Sequence, residues 1–275
     1  MNILQSIFYG LISGFSHFVP ISSSGHQQLL RTLFGVAAPE PVRDILVRLA
    51  MIAAVIFSSS TYIEKLKRTI HSNSTPRRRV GNRGRGEQYD VQLLKNSAVL
   101  MLIGMIAFRL VFKSVFSFGW LAFLFLINGI LIYIPEYLPH ANKDAQSLST
   151  LDALLMGIAA SVCVLPGMSG VGAFLSAAIA RGADIKKAYE WVLILAIPAL
   201  ILQLVFDVIL MFVSGVGTVT FLVFLGYLLS AFFAFAGAIL AVYLMRMIVA
   251  RSGLTAFAFY NWSAALLIFL LYLTV

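Results

Sequence analysis

The chain has 275 residues, of which 60% are hydrophobic and only 11% are charged, and its mean hydropathy is +0.94. This composition excludes an ordinary soluble domain, and several apolar runs approach or exceed the roughly 20 residues that cross a bilayer. The net charge of +9 is concentrated in one segment, which favours a role in membrane orientation over nucleic-acid binding. The single cysteine, Cys163, excludes an intramolecular disulfide bond.

Taken in chain order, the apolar segments predict six full membrane spans and two broken ones. Residues 3–35 and 151–182 are each interrupted by proline and glycine at mid-depth. Irregular backbone inside a membrane is tolerated only where it is buried in protein or lines a wet cavity, so these two segments predict re-entrant helix pairs. We expect one all-α integral membrane domain over residues 1–275. The full spans are predicted near 46–60, 93–112, 117–135, 187–211, 218–244 and 256–274.

Residues 62–92 connect the first two full spans and are predicted to form a basic loop. An excess of Lys and Arg marks the cytoplasmic side of a membrane protein, so this loop sets the direction of every span. Contact with anionic lipid headgroups is the alternative role for these charges. The stretch 71–88 is polar and glycine-rich enough to be mobile. The basic residues are Lys65, Lys67, Arg68, Arg77, Arg78, Arg79, Arg83 and Arg85.

The chain also predicts an internal duplication, with repeat 1 at about 1–135 and repeat 2 at about 147–275. At a shift of 146 positions, Pro20 matches Pro166, Ser23 matches Ser169, Asp44 matches Glu190 and Ala50 matches Ala196. With the basic loop in the cytoplasm, repeat 1 enters the membrane from outside and repeat 2 enters from inside. The repeats are therefore predicted to have inverted topology, as in many transporters.

The first broken segment carries an unusual density of polar groups, SGFSHFVPISSSGH from Ser13 to His26. Helix ends at such a break offer free N–H groups and the positive end of the helix dipole, and both suit an anion. A simple packing kink at proline and glycine is the alternative interpretation. Because the second break occurs in register with the first, we favour a central anion site.

Two motifs resemble a known family. GFSHFVPISSSGH resembles the pattern G-[LF]-T-E-F-[LI]-P-[VI]-S-S-[TS]-G-H of the undecaprenyl-diphosphate phosphatases, the bacitracin-resistance integral membrane family, and PGMSGVGA at 166–173 resembles its P-G-x-S-R-S-G-A. The segments 44–55 and 189–199 are also similar to family segments. The resemblance implies six spans and two re-entrant pairs in an inverted repeat, with a site open to the outer face of the bacterial inner (plasma) membrane. It also implies removal of the terminal phosphate of undecaprenyl diphosphate, assisted by a divalent cation such as magnesium, to recycle the lipid carrier for peptidoglycan export.

The matched positions predict a phosphate pocket. Ser23 and His26 are the catalytic candidates if the chain is active, because a hydroxyl and an imidazole can support covalent or general-base chemistry. The predicted phosphate-binding residues are Ser22, Ser23, Ser24, Gly25, His26, Gly167, Ser169 and Gly170. The further candidates for lining the cavity are Ser13, His17, Asp44, Arg48 and Glu190.

Four positions depart from the family pattern. Ser13 and His17 stand where the family has an acidic pair, and Gly170 and Val171 replace its arginine and the following serine. Magnesium prefers carboxylate oxygens, and arginine grips phosphate in a bidentate manner, so both sources of charge at the phosphate are lost. We therefore predict reduced or lost hydrolysis, no metal site and no cofactor, with magnesium expected only for an active phosphatase.

Several side chains have two interpretations. His17 with His26 could hold zinc, although two imidazoles are a weak metal signal, and His17 alone could be a hydrogen-bonded filler of the bundle. Arg48 either pairs with Asp44 one helical turn away or supplies positive charge at the phosphate site. Asp207 is expected near a span end, at the membrane interface.

Three functions remain open from the sequence. The first is a protein that binds or translocates a polyprenyl phosphate or diphosphate carrier lipid in cell-envelope synthesis, with reduced or lost hydrolysis. The second is an active undecaprenyl-diphosphate phosphatase with altered catalytic residues, and the third is a secondary transporter of another anion. The expected partners are the lipid and the membrane, with no nucleic acid. The oligomeric state, including a homodimer, is left open.

Overall fold

The computed structural model describes residues 1–36, 40–73, 82–112, 117–138, 143–216, 219–251 and 253–274. These ranges fold into α-helices joined by short connections and 3₁₀ turns, without a β-sheet among the described residues. The helices are α1 (Ile3–His17), α2 (Ser23–Leu33), α3 (Pro41–Ser58), α4 (Ser60–Asn73), α5 (Asn82–Val111), α6 (Phe118–Tyr133), α7 (Thr150–Ser161), α8 (Gly170–Ala180), α9 (Ile185–Ser214), α10 (Phe221–Arg251) and α11 (Thr255–Thr274).

The predicted all-α multi-pass architecture is confirmed. Among the described residues, α5, α6, α9, α10 and α11 are each long and apolar enough to cross a membrane. Helices α3 and α4 form a bent pair with an angle of 75° and give a sixth span if they are counted as one. The two broken segments are the short pairs α1–α2 and α7–α8. The chain is therefore a polytopic membrane protein.

The connection predicted as a basic loop at 62–92 is helical wherever the structure describes it. Helix α4 occupies 60–73, and α5 begins at Asn82; residues 74–81, with three of the predicted basic residues, lie outside the described ranges. Lys65, Lys67 and Arg68 are exposed on α4, whereas Leu66 is buried. This segment is thus an amphipathic surface helix, and its cytoplasmic location remains a prediction.

The first helix of each repeat begins with the same local structure. Asn2 and Gln5 form a capping box at the start of α1, and Ser149 and Asp152 form one at the start of α7. In each box the cap side chain accepts a backbone N–H, and the residue three positions later returns a hydrogen bond to the cap. The two boxes are 147 positions apart in the chain.

The second helix of each repeat confirms this spacing. Ser22 caps α2 and accepts a hydrogen bond from the N–H of Gly25 at 3.2 Å, while Ser169 caps α8 and accepts one from Gly172 at 3.1 Å. The register of these helices is therefore 147. The counterpart of Ser169 is Ser22, so the predicted match with Ser23 is wrong by one residue.

The helix crossings are also duplicated. A Cβ on Gly10 would lie 2.1 Å from the carbonyl oxygen of Ser230, and one on Gly157 would lie 2.2 Å from that of Ser97. Each of these serine hydroxyls donates to the carbonyl four residues before the glycine, at 2.8 and 2.7 Å respectively. Small residues allow such close backbone approach between membrane helices. Helix α1 therefore packs on α10 as α7 packs on α5. The first helix of each repeat thus packs against a long helix of the other repeat.

Equivalent helices run in opposite directions. Arg48, in the first half of α3, bonds to Asp207 in the second half of α9. At the other end of the pair, Arg246 donates both to the carbonyl of Ser58, where α3 ends, and to Glu190, near the start of α9. Helices α3 and α9 are therefore antiparallel, which agrees with the predicted inverted repeat.

One end of the bundle, where α3 ends and α9 begins, carries most of the exposed positive charge, and we call it the basic end. Its residues include Lys65, Lys67, Arg68, Arg181, Lys186, Lys187, Arg246 and Arg251. We call the other end, where α3 begins and α5 and α9 end, the open end, because a cavity lined by Asp44, Arg109 and Asp207 lies there. If the basic end is cytoplasmic, the open end faces outward.

Candidate functional site

The two helix breaks contact each other at the centre of the bundle. The first break, 18–22, joins α1 to α2, and the second, 162–169, joins α7 to α8. The N–H of Gly167 donates to the hydroxyl of Ser22 at 3.0 Å, and the hydroxyl of Ser24 donates to the carbonyl of Leu165 at 3.3 Å. These bonds place the N-termini of α2 and α8 side by side, where their free N–H groups and positive dipole ends favour an anion.

The first break holds a strained residue. Ser22 has a φ of 63°, and it is the one residue other than glycine with a positive φ in the described part of the chain. Such a conformation costs about 1–3 kcal/mol and persists only when its surroundings enforce it. Here the Ser22 hydroxyl accepts hydrogen bonds from both breaks, through Gly25 and Gly167. Strain of this kind is typical of functional sites rather than of simple connections.

A pair of buried asparagines, which the sequence analysis did not identify, supports both breaks. Asn128 on α6 accepts a hydrogen bond from the N–H of Ser169 at 2.9 Å and donates to Asn261 at 2.8 Å. Asn261 on α11 in turn donates to the carbonyl of Pro20 at 2.9 Å. Both side chains are fully buried. The available signal was a polar side chain inside each of two apolar spans.

An inner cavity of 60 Å³ lies at the N-termini of α2 and α8. Its polar lining consists of Ser16, His17, Ser23, Ser24, Gln27, Arg48, Cys163, Ser169 and Gln203. The hydroxyl of Ser23 donates to the carbonyl of Ser13 at 3.0 Å and accepts from the Gln27 amide at 3.2 Å. No carboxylate lines this cavity among the described residues. The cavity therefore offers hydroxyls, helix N-termini, two amides, a thiol, an imidazole and one guanidinium.

A larger vestibule of 270 Å³ adjoins the inner cavity and lies toward the open end. The two spaces share lining residues Ser24, Gln27, Arg48, Cys163 and Gln203. The vestibule contains two ion pairs, Arg31 with Asp44 and Arg48 with Asp207. It also contains Arg109, which lies over the ring of Phe206. A ligand can therefore reach the inner cavity from the open end through a zone rich in arginine.

Arg48 is at the boundary between the two spaces. It bonds to Asp207, and its Nη1 donates to Gln203 at 2.6 Å, so the alternative pairing with Asp44 is not formed. Asp44 bonds instead to Arg31 and accepts from the hydroxyl of Tyr9 at 3.0 Å. Asp207 is only 8% exposed, so it is buried against Arg48 rather than extended to the protein surface, and its depth in the membrane stays a prediction. The pairing with Arg48 explains how a carboxylate can be buried there.

His26 lies away from the inner cavity. It lines an apolar groove of 480 Å³ between α2, α6 and α11, together with Phe125 and Tyr260. Its Nδ1 is 2.7 Å from the carbonyl of Ser22, which can only accept, so Nδ1 carries the hydrogen; Nε2 is 2.6 Å from the Tyr260 hydroxyl. Both ring nitrogens are thus engaged, and the structure does not bring His26 to the side of Ser23 that faces the cavity.

The other predicted site residues divide into three groups. Ser23, Ser24, Ser169, Gly170 and His17 line the inner cavity. Ser22, Gly25 and Gly167 form the contact between the breaks, and Ser13 is buried beside it, with its hydroxyl lacking a hydrogen-bond partner. Glu190 is at the basic end, bonded to Arg246 in a separate cavity of 350 Å³. The functional roles of all these residues remain predictions.

The residues at this site do not fit a divalent metal ion. In the described ranges no three His, Cys, Asp or Glu side chains are grouped closely enough to hold one. The two carboxylates of the vestibule, Asp44 and Asp207, are each bonded to an arginine. His17 and His26 face different cavities, so they cannot share a zinc ion in this arrangement. The described residues therefore offer no unpaired carboxylate oxygens of the kind that magnesium prefers.

Comparison with known proteins identifies the family of the chain. A family model described as "Bacitracin resistance protein BacA" matches residues 6–267. The chain belongs to the BacA family. The match covers both breaks, all of α5, α6, α9 and α10 and most of α11, and it confirms the resemblance inferred from the two motifs.

Curated relatives in the BacA family align along almost the whole chain. The undecaprenyl-diphosphatase of Carboxydothermus hydrogenoformans is 27% identical over 264 residues, which cover 95% of this chain and 94% of the relative. That of Halothermothrix orenii is 25% identical over 288 residues, covering 98% of both chains. That of Neisseria meningitidis serogroup C is 24% identical over 280 residues, covering 99% and 96%. Family and relatives together point to undecaprenyl-diphosphatase.

Proposed function

We propose that this BacA-family protein binds the phosphate end of a polyprenyl phosphate or diphosphate carrier lipid and hydrolyses the diphosphate slowly or not at all. The observation that carries the proposal is the inner cavity, where two helix N-termini, several hydroxyls and Arg48 meet, with no carboxylate in the part of the lining that the structure describes. The proposal includes a place in the bacterial inner membrane, with the basic end in the cytoplasm and the open end outward.

The binding half of the proposal depends on electrostatics. Ser23 and Ser24 are in the first turn of α2, and Ser169 and Gly170 are at the start of α8, so both helix dipoles act on a group in the cavity. A phosphate there would accept hydrogen bonds from hydroxyls and from a guanidinium, and charge-assisted bonds are about twice as strong as neutral ones. The vestibule leaves space for the lipid side of the phosphate to enter.

The hydrolysis half depends on what surrounds the Ser23 hydroxyl. A nucleophilic hydroxyl needs a general base within about 2.6–3.2 Å, and such a base contributes typically about 10²–10⁴-fold. The hydrogen-bond partners of Ser23 are the carbonyl of Ser13 and the amide of Gln27, neither of which takes up a proton at neutral pH. His17 also lines the inner cavity, but among the described residues no hydrogen bond joins it to Ser23. His26 faces the other side of α2, and in the described ranges no three metal-ligating side chains are grouped together. We expect turnover to be reduced by orders of magnitude.

An active phosphatase with altered catalytic residues is the second candidate. Arg48 favours it, because this guanidinium lines the inner cavity with Ser23 and could stabilise charge on a transferring phosphoryl group. The names of the curated relatives favour it as well. In the first candidate, the protein presents the lipid carrier or moves it across the membrane during envelope synthesis, and in the second it recycles the carrier.

The experiment uses purified full-length protein in detergent. Phosphate release from undecaprenyl diphosphate is measured with magnesium and with EDTA, and thermal stabilisation by undecaprenyl phosphate is measured in parallel. We expect stabilisation that Ser23→Ala weakens and that EDTA leaves unchanged, with little phosphate released. The matched control is Ser263→Ala, an exposed serine on the apolar groove.

Two outcomes would overturn the proposal. Rapid phosphate release that depends on magnesium and is abolished by Ser23→Ala would establish the active enzyme instead. Stabilisation by a water-soluble anion but by no polyprenyl phosphate would favour an anion transporter, the third function left open by the inverted repeat.

A further inference from the structure

We infer that Asp207 is a positioning residue that competes with the phosphate ligand for Arg48 and so lowers the affinity of the site for a lipid monophosphate and a lipid diphosphate alike. This inference rests on the proposed function, because it concerns the same phosphate site. It assigns a role to an ion pair between α3 and α9 that joins residues 159 positions apart in the chain.

The geometry holds the Arg48 guanidinium at the boundary of the two spaces. Arg48 lines both the inner cavity and the vestibule, whereas Asp207 lines only the vestibule and not the inner cavity. Nε and Nη2 are directed at the two carboxylate oxygens of Asp207, the second at 3.5 Å, and Nη1 donates to Gln203 at 2.6 Å. The Arg48 side chain is only 16% exposed. Every nitrogen of this guanidinium is therefore already bonded or directed at a partner.

A phosphate in the inner cavity must displace Asp207 to obtain the bidentate grip of Arg48. The gain on binding is then the difference between two attractions, guanidinium to phosphate and guanidinium to carboxylate. Either ligand breaks the same ion pair, so the cost of releasing Asp207 is the same for a monophosphate and for a diphosphate. Asp207 thus acts as an internal competitor that lowers both affinities.

The displaced carboxylate has a partner available. Arg109 lines the same vestibule and lies over the ring of Phe206, the residue next to Asp207, at 5.6 Å. Among the described residues Arg109 has no ion pair, whereas Arg31 is held by Asp44. Exchange of Asp207 from Arg48 toward Arg109 would avoid leaving a buried carboxylate unpaired.

The test is isothermal titration of the full-length protein in detergent with farnesyl phosphate and farnesyl diphosphate. For Asp207→Asn we expect the affinity for both ligands to rise by about tenfold or more, as for one charged hydrogen bond. Arg48→Gln should weaken both ligands. In the double variant the effect of Asp207→Asn should disappear, because its target is gone.

The matched control is Asp44→Asn, which removes the same charge from the same vestibule but does not touch Arg48. If both asparagine variants change the two affinities equally, only net charge matters and the inference is overturned. If the wild type binds neither ligand, the proposed function itself fails. Size exclusion and thermal stability report folding. If Asp207→Asn does not fold, the double variant, which has no lone buried charge, decides: an affinity well above that of Arg48→Gln alone would contradict the inference.

Discussion

The buried amides that hold the two breaks together provide the sharpest structural prediction. In Asn128→Leu a side chain of similar size replaces one that is fully buried, so the main loss is hydrogen bonding. The N–H of Ser169 and the side-chain oxygen of Asn261 each lose a partner at 2.9 and 2.8 Å. Leaving a buried polar group unsatisfied costs about 1–3 kcal/mol.

The membrane environment determines how much of this cost of about 1–3 kcal/mol applies to each of the two lost hydrogen bonds. Hydrogen bonds between membrane helices average only about 0.6 kcal/mol in measured cycles, because the unfolded chain in the membrane also finds partners. The bond between Asn128 and Asn261 belongs to this class. The Ser169 N–H differs, because it is a backbone donor at a helix start, outside the hydrogen bonds that the helix makes within itself. We therefore expect Asn128→Leu to cost about 2–4 kcal/mol, a large share of a typical stability of about 5–15 kcal/mol.

The assay is denaturant unfolding in detergent micelles, combined with titration of a polyprenyl phosphate. Asn261→Leu should cost a similar amount, because it frees the carbonyl of Pro20. The double variant should cost less than the two singles together, because they share one bond. Leu126→Ala is the control: this residue is on the same helix and 44% exposed, so its change should stay within about 0.5 kcal/mol. Unchanged stability and unchanged binding in Asn128→Leu would refute the role of the amide pair.

Three further outcomes are expected. Gly10→Val and Gly157→Val should both prevent stable folding, measured by size exclusion, because a Cβ at either position meets backbone near 2 Å, whereas Gly119→Ala, whose nearest contact is 3.7 Å, should be tolerated. His26→Gln should lower stability by about 1–2 kcal/mol yet leave phosphate-lipid affinity nearly unchanged, since its nitrogens bond within the protein; a selective loss of affinity would contradict this placement. Gly170→Arg should fail to restore phosphatase turnover, because a Cβ there lies 2.6 Å from Cys163; robust turnover would show that the helix start can adapt.

The helices and both breaks could be predicted because each depends on local signals. Apolar length identifies a span, and proline with glycine identifies a break. The repeat register was harder to obtain. The first two helices of each repeat align at 147 positions, but Ser97 and Ser230, and likewise Asn128 and Asn261, are 133 apart. The connection after α3 is longer than the one after α9, so no single shift aligns both halves. The asparagine pair was missed for this reason.

The site was only partly predictable, because two residues that are close in the sequence can lie on different faces of a helix, and the motif does not show which face lines a cavity. Ser23 and His26 are three residues apart in the motif, yet α2 is wedged between α1 and the pair α6–α11. Ser23 bonds to α1, whereas His26 stacks on Tyr260 of α11. The pairing of Arg48 with Asp207 joins distant segments and depends on the fold. In both cases the contacts depend on tertiary packing, which the sequence motif does not specify.

The corrected register gives a physical reason for the position of the positive charge. At a shift of 147, Ser23 corresponds to Gly170, so each is the first residue of its helix. The resemblance implies an arginine at the second of these positions, but here the neighbouring Cys163 leaves no space for a side chain. A cation must then approach the two helix starts from elsewhere, and Arg48 does so from α3. A guanidinium from that direction has to cross a buried zone, where it requires a counter-charge, and Asp207 supplies one. The positive charge of Arg48 is therefore partly neutralised by Asp207. This arrangement suits reversible binding of an anion better than fast hydrolysis, which needs positive charge fixed at the reacting phosphate.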